Sequence, residues 1–352
     1  MNTTIRLILF FLFSASLHAM PEQDPLPIKV VVLVNFEIGE VTGDTAGEFQ
    51  YWLERGIDGQ SPLSCVPLIY STFDACLDEK NGVLVTFTGL TADKAAASVM
   101  ALGLDQRFDF HKSYWLIGGI AGIDANNGTL GSAVWGNWIV NGDWAHEIDA
   151  REMPADWEIG YIPFARSKPY EQPPQDTEGK VFRLSSQLSN LAYSITKDTP
   201  LVTSEMAQEI AQHYTNKPKA SGQPIVMQGD NVSASTFWHG DILNQWANDW
   251  MTYWTIGQGE FVTSAVEDSG IMEAIRFLTQ GGKADMSRVM LLRTASNFTT
   301  PPPGVDAATN LAREMSGFGA MGPAVENHWR VGSTMVREIT FNWNDWKDRT
   351  WK

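Results

Sequence analysis

Two kinds of apolar text alternate along this chain. The first is short, dense and uninterrupted: "IKVVVLVNF" (28–36), "GVLVTFTGL" (82–90), "SYWLIGGI" (113–120), "GSAVWGNWIV" (131–140) and "SRVMLLRTASNF" (287–298). Such β-branched runs lack the every-second-residue polarity of a half-exposed strand, so each predicts a strand covered on both faces. The second kind repeats at helical spacing. "TADKAAASVMALGLD" (91–105) is rich in Ala and Leu and opens on a Thr91-to-Asp93 start signal, and "EDSGIMEAIRFLTQGG" (267–282) begins on two acids; both predict helices. Trp246, Trp250 and Trp254 recur every four residues, which predicts the buried face of a further helix. Strands alternating with helices imply an α/β domain with helices on both sides of a sheet.

Polar text separates these blocks. "DANNGTLG" (124–131) reads as a turn into another strand. Residues 150–225 are richer in Pro, Gln, Lys and Asp, with helical text only in "SSQLSNLAYSIT" and "TSEMAQEIAQHY". No core-sized apolar set lies there, so the stretch predicts a long polar excursion of one domain spanning residues 20–352. Met1 to Ala19 has one cation, Arg6, then the apolar run Leu7 to Phe13, then small residues before Ala19. That order predicts a cleaved export signal over residues 1–19 and a periplasmic or secreted location. Every later apolar stretch is interrupted by Asp, Glu, Lys or Gly, so no membrane span is expected in the mature chain.

Charge narrows the partners. The full chain has a formal net charge of −16, and loss of Arg6 makes it one unit more negative. No Lys/Arg cluster larger than a pair offsets this, which argues against nucleic acid. Cys65 and Cys76 fall in one segment, "SCVPLIYSTFDACLD", and are either a disulfide or two buried thiols. Neither has a metal-ligating neighbour and the six histidines are scattered, so no metal site and no cofactor are called for.

The candidate chemistry gathers at strand ends. In "LIGGIAGI", Gly118, Gly119 and Gly122 lack the dinucleotide-loop spacing and lead into a turn instead of a helix, which excludes a nicotinamide fingerprint. What they predict is a bare strand end where a ligand approaches the backbone closely. Glu37 and Glu40 follow the first strand, Gly89 precedes a helix N-terminus, Val266, Glu267 and Asp268 open a helix, and Ser296 and Asn297 close the last strand. With Phe237, Trp238 and His239 they describe one rim of carboxylates, an amide and aromatic faces, suited to a small polar ring-containing ligand.

In order along the chain, "VVVLVNFEIGE", "VTFTGLTADKAAASVMALGL", "LIGGIAGIDANNGTLGSAVWGNWIVNGD", "QGDNVSASTFW", "AVEDSGI" and "LLRTASNF" resemble the nucleoside phosphorylase/nucleosidase superfamily. "HEIDARE" and "HWRVGSTMVREI" narrow the resemblance to the purine nucleoside permease family. It implies a three-layer α/β/α fold around a mixed, partly barrel-like sheet, and a purine nucleoside ligand. It further implies cleavage of an N-ribosidic bond through an oxocarbenium-like sugar, without a cofactor. By motif, Glu267 would bind the ribose hydroxyls, Asn297 would meet the purine near N7, and Phe237 and Trp238 would stack on the base. Glu40, or less readily Glu37, would lie near the nucleophile. Gly89, Gly119, Ala121, Gly122, Val266 and Ser296 would shape the substrate pocket. An amide at 297 hydrogen-bonds a leaving base but cannot protonate it. The text near the first strand and the glycines has no arginine, which favours water over phosphate as nucleophile, although Arg293 and Arg330 lie elsewhere in the chain. A non-catalytic nucleoside-binding component of uptake and a phosphate-dependent phosphorylase are the alternative readings. Self-association into a homo-oligomer is left open.

Overall fold

The computed structural model describes residues 24–315, 317 and 319–352, so the expected export signal lies outside the described residues. The first uninterrupted run folds as the strand Val30–Val34, with every residue buried. Val31 and Leu33 enter one apolar core and Val30, Val32 and Val34 the other, which is why both alternating sets must be hydrophobic. The strand pairs in parallel with Val83–Phe87 on one side and with Tyr114–Ile117 on the other. Beyond Val83–Phe87, the antiparallel strands Asp74–Asp78 and Ser64–Pro67 carry the sheet to its edge. Cys65 and Cys76 face each other across that last pair and are bridged.

The strand Tyr114–Ile123 is the axis of a 12-stranded mixed sheet. Along one edge it pairs in parallel with Val289–Phe298 over nearly its whole length. Along the other edge its start pairs with Val30–Val34, while Gly122 and Ile123 pair antiparallel with Phe261–Ala265. The sheet therefore forks at Gly118 to Ala121. From the fork one arm continues through Asp230–Ser233 and Trp138–Asn141 to Val181–Arg183. A second set, Ala133–Gly136 and Val226–Gln228, adds to the free side of Val289–Phe298.

Helices cover both faces. Ala92–Gly103 packs beside Asp268–Gln280, the buried Trp246, Trp250 and Trp254 of Asp241–Thr255 fill a separate aromatic core, and Met321–Phe341 crosses the centre of the sheet. The polar stretch 150–225 supplies the edge strand Val181–Arg183 and the helices Ser186–Thr196 and Glu205–Gln212. Those helices add only a few side chains, such as Leu188 and Ala207, to cores built by other elements.

Two expectations are corrected. The glycines of "LIGGIAGI" lie inside a ten-residue strand and not at its end; the turn begins at Asp124. "GSAVWGNWIV" is two strands, Ala133–Gly136 and Trp138–Asn141. The backbone N–H groups of Asn137 and Trp138 are drawn off to the buried Asp230 carboxylate at the break. No helix among the described residues is long and apolar enough to cross a membrane.

Candidate functional site

A forked strand leaves backbone groups without a ladder partner, and buried N–H and C=O groups must be satisfied. Side chains do this at the fork. Ile120 N–H donates to Glu48 Oε1 at 2.7 Å, and Asn35 Nδ2 donates to Gly118 O at 3.0 Å. The other Glu48 oxygen accepts from Asn35 N–H at 2.6 Å and from its Nδ2 at 3.0 Å. Glu48 is 3% exposed and is held at the wall of a cavity of about 410 Å³, within the usual range for small-molecule sites.

Gly119 makes this possible. Its φ is +138°, and a Cβ there would run into the Glu48 carboxylate, just as a Cβ on Gly118 would run into the His328 imidazole. We expect Gly119→Ala to destabilise the protein by about 1–3 kcal/mol, from backbone strain and overpacking together. Thermal unfolding measures this, and an unchanged melting midpoint would show that the carboxylate is not locked against the strand.

A second wall is built by an irregularity. The pairing of Val289–Phe298 with the central strand slips between Ala295 and Asn297, the signature of a bulge, and bulges re-aim side chains. Ser296 steps out of the ladder, its single hydroxyl hydrogen shared between Ala121 O and Asn297 Oδ1. Asn297 and Ser296 both line the cavity. Its third wall comes from Glu267, at the N-cap of Asp268–Gln280. The Glu267 side chain makes no capping bond, so its carboxylate is left to the cavity. Thr91, at φ +85°, brings its backbone close enough to favour the ionised Glu267.

Arg293 lies behind both carboxylates and is 1% exposed. Its Nε and Nη2 grip Asp268, Nη2 reaches Glu267 at 3.4 Å and Nη1 donates to Ile120 O at 3.1 Å. Burial pushes Glu48 up to about 7, against the pull of Arg293 and with a further push from Glu267. Burial likewise raises Glu267, again opposed by Arg293. His328, fully buried beneath the strand, is pushed down to about 3 by burial and by Arg293. It is therefore neutral, with Trp52 Nε1 donating to its Nδ1 at 3.4 Å.

Ala121, Gly122, Phe237, Trp238, Val266, Glu267, Ser296 and Asn297 all line the cavity. Trp238 is buttressed edge-on by Trp246, and Phe237 is 44% exposed. Gly89 and Gly119 act at one remove. Gly89, at φ +82°, makes the turn that delivers Leu90 and Thr91 to the wall. Glu40 is a correction: it is exposed and outside the lining, on a loop closed by its own N–H to Asp44. Glu37 is spent on the same loop, accepting from the N–H groups of Ile38, Gly47, Phe49 and Gln50. The inward carboxylate is Glu48, which no motif in the sequence marks. Arg330 is also elsewhere, paired with Glu326.

Residues 27–350 match the family described as purine nucleoside permease. A purine nucleoside permease of Candida albicans is 27% identical over 260 residues, which is 73% of this chain and 64% of the relative, so the match spans somewhat under two thirds of that relative's length. Among solved structures, the futalosine hydrolase of Helicobacter pylori superposes with a TM-score of 0.51 at 15% identity, covering 88% of this chain and 98% of that one. The 5′-methylthioadenosine/S-adenosylhomocysteine nucleosidase of Neisseria meningitidis, in complex with methylthio-immucillin-A, gives 0.50 at 15% identity over 88% of this chain and all of that one. At such identity these two establish the fold alone.

Proposed function

This chain belongs to the purine nucleoside permease family, and from that premise we propose that it binds a purine nucleoside in the forked-sheet cavity and hydrolyses its N-ribosidic bond. The observation that carries the reading is that two buried carboxylates, Glu48 and Glu267, line one cavity with the Asn297 amide. Glu267 accepts from ribose hydroxyls, and the two negative charges favour the cationic sugar that forms as the C–N bond breaks. Water adds at the anomeric carbon and its proton passes to Glu48. That group suits the role, since a base works best with a pKa near the operating pH. The electron pair of the broken bond leaves on the purine, which Asn297 meets with an amide N–H before solvent supplies the proton. Trp238 and Phe237 supply apolar surface for the ring.

Water is favoured over phosphate because the charged groups lining the cavity, among the described residues, are two carboxylates. Arg293 does not line the cavity, and four of its five N–H donors are committed to Asp268, Glu267 and Ile120. The amide at 297 favours a second reading, a binding component of nucleoside uptake that performs no chemistry. We place the protein outside the cytoplasm, a location supported by the Cys65–Cys76 bridge, which belongs in an oxidising compartment.

Incubation of purified protein with inosine, guanosine and adenosine, with and without phosphate, tests all of this. Release of free base without phosphate is expected. Release only with phosphate would replace hydrolysis by phosphorolysis, and tight calorimetric binding with no release would leave the uptake reading.

A further inference from the structure

Asn297 has a second neighbour on the side away from the nucleoside cavity. It lines a smaller cavity of about 240 Å³ together with His213, Tyr214, Asn310, Arg313 and Glu314. In that cavity the Glu314 Oε1 accepts from Asn310 Nδ2 at 3.1 Å. Asn310 Nδ2 also lies 3.1 Å from His239 Nε2, and an amide nitrogen only donates, so the imidazole accepts at Nε2 and carries its proton on Nδ1. That Nδ1 is 3.7 Å from Glu314 Oε2. Both atoms are buried, and neither has a hydrogen-bond partner within reach among the described residues. The Asn297 amide is near enough to favour the ionised form of Glu314.

We propose that Glu314 is a positioning residue for the leaving base, its carboxyl setting which hydrogens of the Asn297 amide face the nucleoside. The inference rests on the reading of the main cavity as a nucleoside site. When Glu314 is ionised, its carboxylate draws an Asn297 N–H away from the cavity. When it is neutral, its O–H donates to Asn297 Oδ1 beside the Ser296 hydroxyl, which leaves an amide N–H for the base and makes it a stronger donor, the other N–H being held by Phe298 O at 3.3 Å. An amide that cannot protonate the purine is thus backed by a carboxyl that polarises it. Burial pushes Glu314 up to about 7, so both forms are populated at neutral pH.

The groups facing this carboxyl come from four elements. Tyr214 and His213 follow one helix, and Arg313 and Asn310 share its own. His239 precedes Asp241 on a third, and Asn297 belongs to the strand. Burial lowers His239, so the imidazole is neutral at neutral pH and does not hold Glu314 ionised.

The test follows inosine binding by calorimetry, and base release, from mildly acid to mildly alkaline pH in the full-length protein and in Glu314→Gln. In the wild type, inosine affinity should fall by about tenfold as pH rises through neutrality, the size of one strengthened hydrogen bond. Glu314→Gln, which cannot ionise, should lose that fall, and Glu314→Asp should keep it. If Glu314→Gln folds poorly, proton uptake on inosine binding to Glu48→Gln reads the same group, and uptake near neutral pH is expected. An alkaline fall that survives in Glu314→Gln, a wild type without one, or no proton uptake overturns the inference. Failure of the wild type to bind any purine nucleoside overturns instead the reading of the main cavity.

Discussion

Glu48→Gln should lower nucleoside hydrolysis by about 10²- to 10⁴-fold, the usual worth of a positioned general base, while inosine binding survives. The substitution also has a structural cost, because both Glu48 oxygens are already used. Ile120 N–H points at one, and the N–H and Nδ2 of Asn35 point at the other. A glutamine has a single carbonyl oxygen, so its NH2 must face a donor. A loss of about 1–3 kcal/mol in folding stability should accompany the kinetic loss. Circular dichroism and thermal melts separate the two effects. Folded Glu48→Gln that releases base at the wild-type rate would remove Glu48 from the chemistry.

The acid limb of the rate profile belongs to the same residue. A base must be ionised to accept a proton, so turnover should rise with pH through about 7 as Glu48 deprotonates. Folding runs the other way. A carboxyl raised above its unfolded value contributes stability that is complete below the unfolded value and declines as pH climbs through the folded one. Glu48 ionisation therefore costs stability over the interval from 4.5 to about 7 in which activity appears. With Glu314 supplying a shallower alkaline fall, the profile should peak near neutral pH, its acid limb assigned to Glu48 and its alkaline limb to Glu314. Glu267 couples to Glu48, so the acid limb should be broader than a single titration.

The sequence makes the strands legible because burial on both faces leaves no polar position in "VVVLV", and a helix cannot be so short and so uniformly apolar. Glu267 and Asn297 are legible for a related reason: each is a polar residue at the edge of apolar text, where a strand or helix end meets the cavity. Glu48 is not. Four acids, Glu37, Glu40, Asp44 and Glu48, follow the first strand, and which turns inward depends on the path of the loop. That path is set when Glu37 gathers four backbone N–H groups, which leaves Glu48 beside the fork. The fork itself is a tertiary event, so the glycines read as a strand end when they lie within a strand relieved of side chains. Arg293 gave a usable signal: a guanidinium inside "VMLLRTASNF" must find carboxylates, since a buried charge persists only when paired. Its partners Glu267 and Asp268 are adjacent in sequence to each other but 25 residues or more from Arg293, so spacing alone does not join them.

Arg293→Met should be the most destabilising single change in the site. One guanidinium compensates Asp268, which is 0% exposed and also accepts from Asn231 at 2.7 Å, together with Glu267 and, through space, Glu48. Removing one partner of a buried pair costs about 3–5 kcal/mol because the stranded charge is uncompensated; here three carboxyls are stranded around one lost cation. Denaturant unfolding at neutral pH measures the loss, which should shrink in acid as Glu48 and Glu267 take up protons. Any folded Arg293→Met should also show its acid limb displaced to higher pH, since Arg293 is the strongest influence holding Glu48 down. Arg293→Lys should fall between, because an ammonium preserves the charge but cannot hold Asp268 bidentately and still reach Glu267 and Ile120. Equal stability of the methionine variant and wild type across pH would mean that Glu267 needs no cation to compensate it in the native site. The two ionised carboxylates assigned to the oxocarbenium-like sugar would then reduce to Glu48 alone.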